Sequence, residues 1–343
     1  MSQINRLEYI GSKYKLIPWL QECIFQATGW TSFKEKTVAD LFAGTGVISW
    51  HFRQEGAIVI SNDAELYSST IAHAFTCSSY TEKMRTIMNK LNTDLYEGKR
   101  FSGFITKNYS PFETCERKFF TVDNAQRIDY VREELVKLEK GLDEDERKFL
   151  MASLLLGADY VSNTPAVYGC FLKNFKKKAE NSMFLKFPHQ SSTPPEPGSG
   201  CFNTDVLHPD LLNELEADLV YLDPPYNERQ YSKNYFPLNM IVDVPADVTI
   251  KGVTGIPSNC FDSDFCRSKK VGSAFETLVN ALKAKWIAIS YNSESLIKKD
   301  DMISLLSKYG TVQLFECDYK RFKSFEYNES GGVKEYLFVL KKD

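Results

Sequence analysis

Residues 38–63 read VADLFAGTGVISWHFRQEGAIVISND, and the succession of patterns inside that stretch decides the fold. Val38 to Phe42 is a short apolar run of strand length. Gly44-Thr45-Gly46 interrupts it. Val47 to Gln54 has helical character, and Ala57 to Ser61 is a second apolar run that ends on Asn62-Asp63. Strand, glycine turn, helix and strand at this spacing are the grammar of a parallel α/β sheet. Glycines after a strand allow a tight turn and let a ligand approach the main chain closely. The pattern is not GxGxxG and the P-loop lysine is absent, so neither phosphate-binding fingerprint is present.

Outward from that stretch, Leu16 to Phe25 and Glu65 to Thr76 read as helices. From about Thr81 to Pro188 the character changes. Charged helical segments appear, Asp129 to Lys140 and Glu144 to Leu156, and the region ends in a basic, aromatic segment. QSSTPPEPGSG, residues 190–200, has the composition of a linker or exposed loop and marks a boundary. The α/β grammar then resumes. Leu211 to Glu216 reads as helix, and Asp218 to Leu222, Trp286 to Ser290 and Tyr336 to Leu340 read as strands. Val242 to Gly272 reads as a long loop, and loops of that length are more often functional than idle. The expected organisation is one α/β domain of residues 1–80 and 196–343, interrupted by a mostly helical domain of residues 81–195.

Composition narrows the class. With 343 residues, 43% of them hydrophobic, there is ample material for a full-sized core. The formal net charge of −3 announces no nucleic-acid partner, though one basic face would suffice for one. No apolar run reaches the ~18 residues of a membrane span, and Met1 to Gln21 lacks the plan of a secretion signal. A cytoplasmic protein without a membrane partner is therefore expected. The eight cysteines form no CxxC pair, which suggests reduced, mostly buried thiols. The four histidines form no ligand-like cluster with them, so no metal site is expected.

The apolar run Asp218 to Leu222 ends in Asp223-Pro224-Pro225-Tyr226. Ligands of open parallel sheets bind beyond the carboxyl ends of strands. Asp-Pro-Pro also makes ordinary turns at strand ends, but the residue types here suit one task. An aromatic amine is a poor nucleophile because its lone pair is delocalised into the ring. A carboxylate and a carbonyl, each accepting one amino hydrogen, draw the nitrogen toward tetrahedral geometry, and the lone pair can then attack a methyl carried on a sulfonium. Asp223 offers the carboxylate. Pro224 offers a carbonyl on a stiff turn without a competing N–H. Tyr226 offers a ring to stack on a base turned out of a helix. Asp63, at the end of the second strand, is placed to accept bonds from a ribose diol, by the logic of dinucleotide folds. A helix N-cap is the alternative for Asp63, and the two roles are compatible.

Asn163 to Lys178, NTPAVYGCFLKNFKKK, interleaves Tyr168, Phe171 and Phe175 with Lys173, Lys176, Lys177 and Lys178. Lysines neutralise phosphates and aromatics pack on sugars or bases. The alternative is a solvated lysine face whose aromatics turn into a core. Arg6 to Lys15 alone reads as a flexible terminus.

Taken in this order, the pieces resemble the D12 class of adenine-N6 DNA methyltransferases, the class of the Dam enzymes, and especially its restriction–modification members. The resemblance covers most of the chain. Tyr9-Ile10-Gly11-Ser12-Lys13 is similar to the family's first cofactor motif, which places Tyr9, Gly11 and Lys13 around S-adenosyl-L-methionine. By the same resemblance, Leu41 to Gly46, with Phe42, Ala43, Gly44, Thr45 and Gly46, is the loop for the methionine part of the cofactor. Asp63 stands at the ribose and Asp205 at the cofactor's adenine. Asp223 to Tyr226 is the catalytic motif, extended here to DPPYNERQY with Tyr231 near the DNA. Ser290-Tyr291-Asn292, Tyr319 to Ser324 and Lys334 to Phe338 also look like family segments, as does Asn163 to Lys178.

The order of cofactor motif, inserted target-recognition region and catalytic motif is that of the alpha group. The resemblance implies a Rossmann-like methyltransferase fold and an inserted target-recognition domain. It implies double-stranded DNA as substrate, a flipped adenine, a monomer, and a cognate endonuclease acting separately, in a bacterial cell or a virus-infected host. Two alternatives remain at this stage: an RNA base methyltransferase, and a catalytically silent DNA-binding subunit. The insertion of about 110 residues favours DNA over RNA.

Overall fold

The computed structural model describes residues 4–7, 11–165, 167–319 and 333–343. Helix α1 (Ile17–Thr28) opens the described fold. It has a proline in its first turn and ends on Gly29 at φ 74°, whose N–H returns to the Phe25 carbonyl. Ile17, Leu20, Ile24 and Ala27 form its buried stripe. Strand β1 (Thr37–Asp40), helix α2 (Val47–Gln54), strand β2 (Ile58–Asn62) and helix α3 (Leu66–Thr76) follow.

Four helices are inserted next: α4 (Glu82–Tyr96), α5 (Phe104–Tyr109), α6 (Val122–Leu138) and α7 (Glu144–Tyr160). Thr81 and Thr121 cap α4 and α6, and Asp143 with Glu146 forms a capping box on α7. After an irregular stretch, the sheet resumes with β3 (Gly200–Phe202), α8 (Pro209–Glu214), β4 (Glu216–Leu222) and α9 (Tyr231–Val242). A two-stranded hairpin, β5 (Ile250–Lys251) and β6 (Ile256–Pro257), lies in the long loop. The chain closes with α10 (Val271–Ala281), β7 (Lys283–Asn292), α11 (Lys299–Leu306), β8 (Gly310–Tyr319) and β9 (Val333–Lys342).

The sheet has seven strands in the order β3-β2-β1-β4-β7-β9-β8. The first five are parallel, and β9 runs antiparallel to both of its neighbours. This is an open, largely parallel α/β sheet of the kind the sequence implied. Alternation along the strands supplies two core faces. Val38, Leu219 and Tyr221 join the cluster under α1 and α2, whereas Ala39, Val220 and Leu222 join the one under α8, α10 and α11.

The inserted helices do not stand apart. Met84, Met88, Ile128, Val131, Phe149 and Leu155 belong to one apolar cluster with Tyr67, Ile71 and Phe75 of α3 and Tyr235 and Phe236 of α9. The boundary stretch 190–200 is tied down where the Arg53 guanidinium donates to the Thr193 carbonyl at 2.6 Å. No helix among the described residues is long and apolar enough to cross a membrane.

Candidate active site

The strand order reverses between β1 and β4, whose registers pair Asp40 with Tyr221. Loops leaving the carboxyl ends of these two strands diverge and open a crevice, the usual ligand position of such sheets. Here it is a cleft enclosing about 970 Å³ of non-atom space, part of it open to solvent. Gly11, Lys13, the 41–45 turn, Asp63, Asp205, Asp223 to Tyr226 and Tyr231 all line it. Tyr9 lies outside the described residues, as do positions 320–324 of the Tyr319 to Ser324 segment.

The turn after β1 is built on two positive-φ glycines, Gly44 at 52° and Gly46 at 70°. A Cβ on Gly46 would sit 2.8 Å from the Cα of Ala72, so α2 meets α3 only without a side chain there. Gly44 N–H donates to Asp63 Oδ2 and Glu65 N–H to Asp63 Oδ1, each at 2.8 Å. The N-cap position of α3 belongs to Glu65, not Asp63. Asp63 instead ties the turn after β1 to the turn after β2. Burial pushes its carboxyl up to about 6, against the pull of those two main-chain bonds. Asn62 extends the tie with 3.2 Å bonds to the carbonyls of Leu41 and Thr204. That contact brings the Thr204-Asp205 turn to the cleft, where Asp205 Oδ1 accepts from Leu207 N–H at 3.0 Å.

Across the crevice, Asp223 Oδ1 is met by two side chains. The Lys13 ammonium stands 3.1 Å away, and the Tyr226 hydroxyl donates to the same oxygen. Lys13 also donates to Tyr226 and, at 3.2 Å, to the Gly11 carbonyl, and is only 4% exposed. Burial, then the Asp223 charge, holds the Tyr226 hydroxyl well above its usual range, so it stays protonated and can donate. The Tyr226 ring meets Tyr291 edge-on at 5.5 Å, which gives the Ser290-Tyr291-Asn292 segment a packing role at the site. Tyr231 opens α9, stacked on Tyr235 with ring centres 6.0 Å apart. It lines the same cleft.

Two acids of the cleft wall were not singled out from the sequence. Asp40, the last residue of β1, is 1% exposed, and its Oδ2 accepts from the Ser49 hydroxyl at 2.7 Å. Its Oδ1 has no hydrogen-bond partner. Burial pushes this carboxyl up to about 7. The signal was an acid closing an apolar strand just before a glycine turn. Glu65, likewise pushed up to about 7 by burial, accepts from the Asn239 amide of α9 at 2.7 Å. Nothing local in the sequence pairs residues so far apart.

The basic segment is not gathered at the cleft in the same way. Tyr168, expected at the DNA, is 1% exposed with its hydroxyl on Asp159 Oδ1 at 2.8 Å, which makes it a core residue. Phe171 packs on Phe119. Lys176 donates to the Thr164 carbonyl at 2.8 Å, and the Lys178 ammonium lies 5.1 Å from the centre of the Tyr160 ring. Lys173 and Lys177 are exposed. Tyr168 and Phe171 have turned into the core, and part of the lysine face remains in solvent.

Residues 9–305 match the model of a protein family described as D12 class N6 adenine-specific DNA methyltransferase. The type II methyltransferase M.CviAII of Paramecium bursaria Chlorella virus 1 is 39% identical over 98% of this chain and 99% of its own length. The type II methyltransferase M.NlaIII of Neisseria lactamica is 34% identical over 98% of this chain and 99% of its own. The type II methyltransferase M.FokI of Planomicrobium okeanokoites is 32% identical over 98% of this chain, which spans 53% of that protein. A family match across most of the chain, with relatives of at least 32% identity along nearly all of it, settles the assignment: the chain belongs to the D12 class of N6 adenine-specific DNA methyltransferases.

Proposed function

We propose that this enzyme methylates the N6 of an adenine turned out of duplex DNA into the β1/β4 cleft, with Asp223 and the Pro224 carbonyl as the acceptors that activate the amino group. One observation carries the reading: the glycine turn, Asp63 and Asp223-Pro224-Pro225-Tyr226, far apart in sequence, line one cleft. The family's methyl donor is S-adenosyl-L-methionine, and the cleft fits it. The unpartnered Oδ1 of buried Asp40 suits an ammonium group. The Gly44–Gly46 turn leaves room for an approach to the main chain, and Asp63 faces the cleft with a carboxylate held by two N–H groups. These residues, with Gly11, Lys13 and Asp205, would hold the cofactor. When bound, it supplies an electrophilic methyl group on a sulfonium.

The chain's own work is positioning and polarisation. Asp223 accepts one amino hydrogen and the Pro224 carbonyl the other, which localises the nitrogen lone pair. Tyr226 holds Asp223 Oδ1 before the base arrives. Entry of the amino group replaces that hydroxyl at the carboxylate, and the freed ring stacks on the base. Lys13 keeps the carboxylate oriented throughout.

Residues 81–195 would read the DNA sequence, with residues 1–80 and 196–343 as the catalytic frame. The names of the full-length relatives support a role as the protecting methyltransferase of a restriction–modification system. In that role the chain works as a monomer inside a bacterial or virus-infected cell, beside a separate endonuclease. Methyl transfer from labelled cofactor to duplex DNA and to structured RNA, followed by digestion to nucleosides, tests the reading. Label in N6-methyldeoxyadenosine is expected; label in RNA or in another base would overturn it.

A further inference from the structure

The long loop after α9 carries an element that the chemistry above leaves unused. Ile250 pairs with Pro257 and Lys251 with Ile256, and Gly252 to Gly255 make the tip. Val253 at that tip is 83% exposed, a β-branched apolar side chain held out in solvent. A hairpin of two residue pairs is marginal by itself, yet this one is braced from outside. The Arg117 guanidinium donates to the carbonyls of Val253 at 3.0 Å and Gly252 at 3.1 Å, and also to Asn108 at 3.1 Å. The Tyr109 hydroxyl donates to the Gly255 carbonyl at 3.1 Å. Gly255 has φ 80°, and a Cβ there would lie 2.7 Å from Arg117 Nε, so the brace needs glycine.

The hairpin springs from the rim of the cleft. The Cys260 thiol bridges the Pro257 carbonyl, at 3.5 Å, and the Ser232 carbonyl, at 3.9 Å, in the first turn of α9. Tyr231, beside Ser232, lines the cleft. The four residues from Pro257 back to Val253 span at most about 14 Å, so the tip stays within that distance of Pro257, and four residues beyond Pro257 the same loop reaches the cleft at Phe261. The basic segment anchors on the same turn, since a Cβ on Gly169 would lie 3.2 Å from the Asn234 side chain. It returns toward Arg117, because Lys118 donates to the Lys173 carbonyl at 2.9 Å. Exposed Lys251 thus lies on the hairpin itself, and exposed Lys173 is held by Lys118, the residue next to its Arg117 brace.

An apolar side chain on a braced hairpin, carried by the loop whose Phe261 and Ser263 line the pocket for an extruded base and accompanied by cations for phosphates, is the equipment for parting stacked bases. We infer that the 250–257 hairpin is a wedge whose Val253 enters the duplex beside the target adenine and holds open the space the base has left. The inference rests on the proposed extrahelical target.

It is tested on synthetic duplexes carrying the enzyme's mapped site, fully paired or with a mismatch opposite the target adenine, by measuring kcat/KM for methylation. Val253→Ser should lower kcat/KM about ten-fold on the paired duplex and no more than about two-fold on the mismatched one, where extrusion is already easy. Arg117→Met, which removes the brace and keeps the tip, should show the same selective loss, and Val253→Leu should retain activity on both duplexes. Equal activity of Val253→Ser and the unaltered enzyme on the paired duplex, or an equal loss on both duplexes, would overturn the wedge. Failure of the unaltered enzyme to make N6-methyladenine in either duplex would instead bring down the parent reading.

Discussion

Two stretches of this chain mix aromatic rings with charge, 223–231 and 163–178, and the fold uses them differently. In the first, Asp223 and Tyr226 bond to one another and to Lys13, and with Tyr231 they face a cleft. In the second, Tyr168 and Phe171 pack inward and two of the four lysines are drawn to the protein itself. The first follows a strand buried between two neighbours, so its direction and register are fixed before the loop begins. The second has no strand behind it, and its side chains go where local packing sends them. Charge in the cleft is kept at a cost to stability; charge and hydroxyls in the second stretch are mostly satisfied. Substitutions in the cleft should therefore remove function, and substitutions in the buried part of the second stretch should remove stability.

The largest effect should come from Asp223→Ala. Loss of an acceptor aimed at the reacting group should lower the methylation rate at least about 10³-fold, with cofactor affinity within a few-fold, as read by single-turnover kinetics and calorimetric titration. Asp63→Ala should do the reverse. Losing a charged acceptor should weaken cofactor binding by about 10- to 100-fold, with the rate at saturating cofactor nearly kept. An unchanged dissociation constant would remove Asp63 from the cofactor site.

In the second stretch, Lys173→Ala with Lys177→Ala should flatten the salt dependence of DNA binding, by a slope of up to about 1.8 if each lysine meets one phosphate. Lys176→Ala and Lys178→Ala should leave that slope nearly unchanged. The opposite pattern would reverse the assignment of exposed and tethered lysines.

Asp40→Asn tests the stability cost of the cleft. Burial raises this carboxyl to about 7, above its unfolded value, so the folded chain holds the extra proton and stability falls as pH rises through about 7. Asparagine can keep the bond to Ser49 without ionising. It should raise stability at pH 8 by on the order of 2 kcal/mol and weaken cofactor binding, while the two proteins converge only below about pH 4, where Asp40 is protonated in the folded and unfolded chains alike. The smallest effect should be that of Tyr168→Phe, which removes the hydroxyl on Asp159. It should cost about 1 kcal/mol in denaturant unfolding and leave DNA affinity unchanged.

The same contrast explains what was legible in the sequence. The buried strands could be read because their apolar runs serve two core faces, and Val47–Gln54 appears as the helix its pattern implied. Helix α6 begins at Val122 rather than Asp129: Thr121 caps it there, and the spacing Val122, Ala125, Ile128 already carries the helical period that the polar residues between them obscure. Helix α9 was not recognised; Pro237 in its interior argues against a helix by local rules, and its aromatic face is paid for by packing against α3 and the inserted helices. At the site, the glycine turn and the aspartates were visible because each sits at the end of a strand. The links from Lys13 to Asp223 and from Glu65 to Asn239 were not, because only the tertiary fold joins them.

The central claim is that Asp223 drives N6-adenine methylation of DNA. It is tested most directly by expressing the gene in a host without adenine methylation and mapping N6-methyladenine by modification-sensitive sequencing. The account expects modified adenine at one recurring sequence with the unaltered chain and none with Asp223→Ala. Equal modification with the Asp223→Ala chain, or modification of another base, would contradict it.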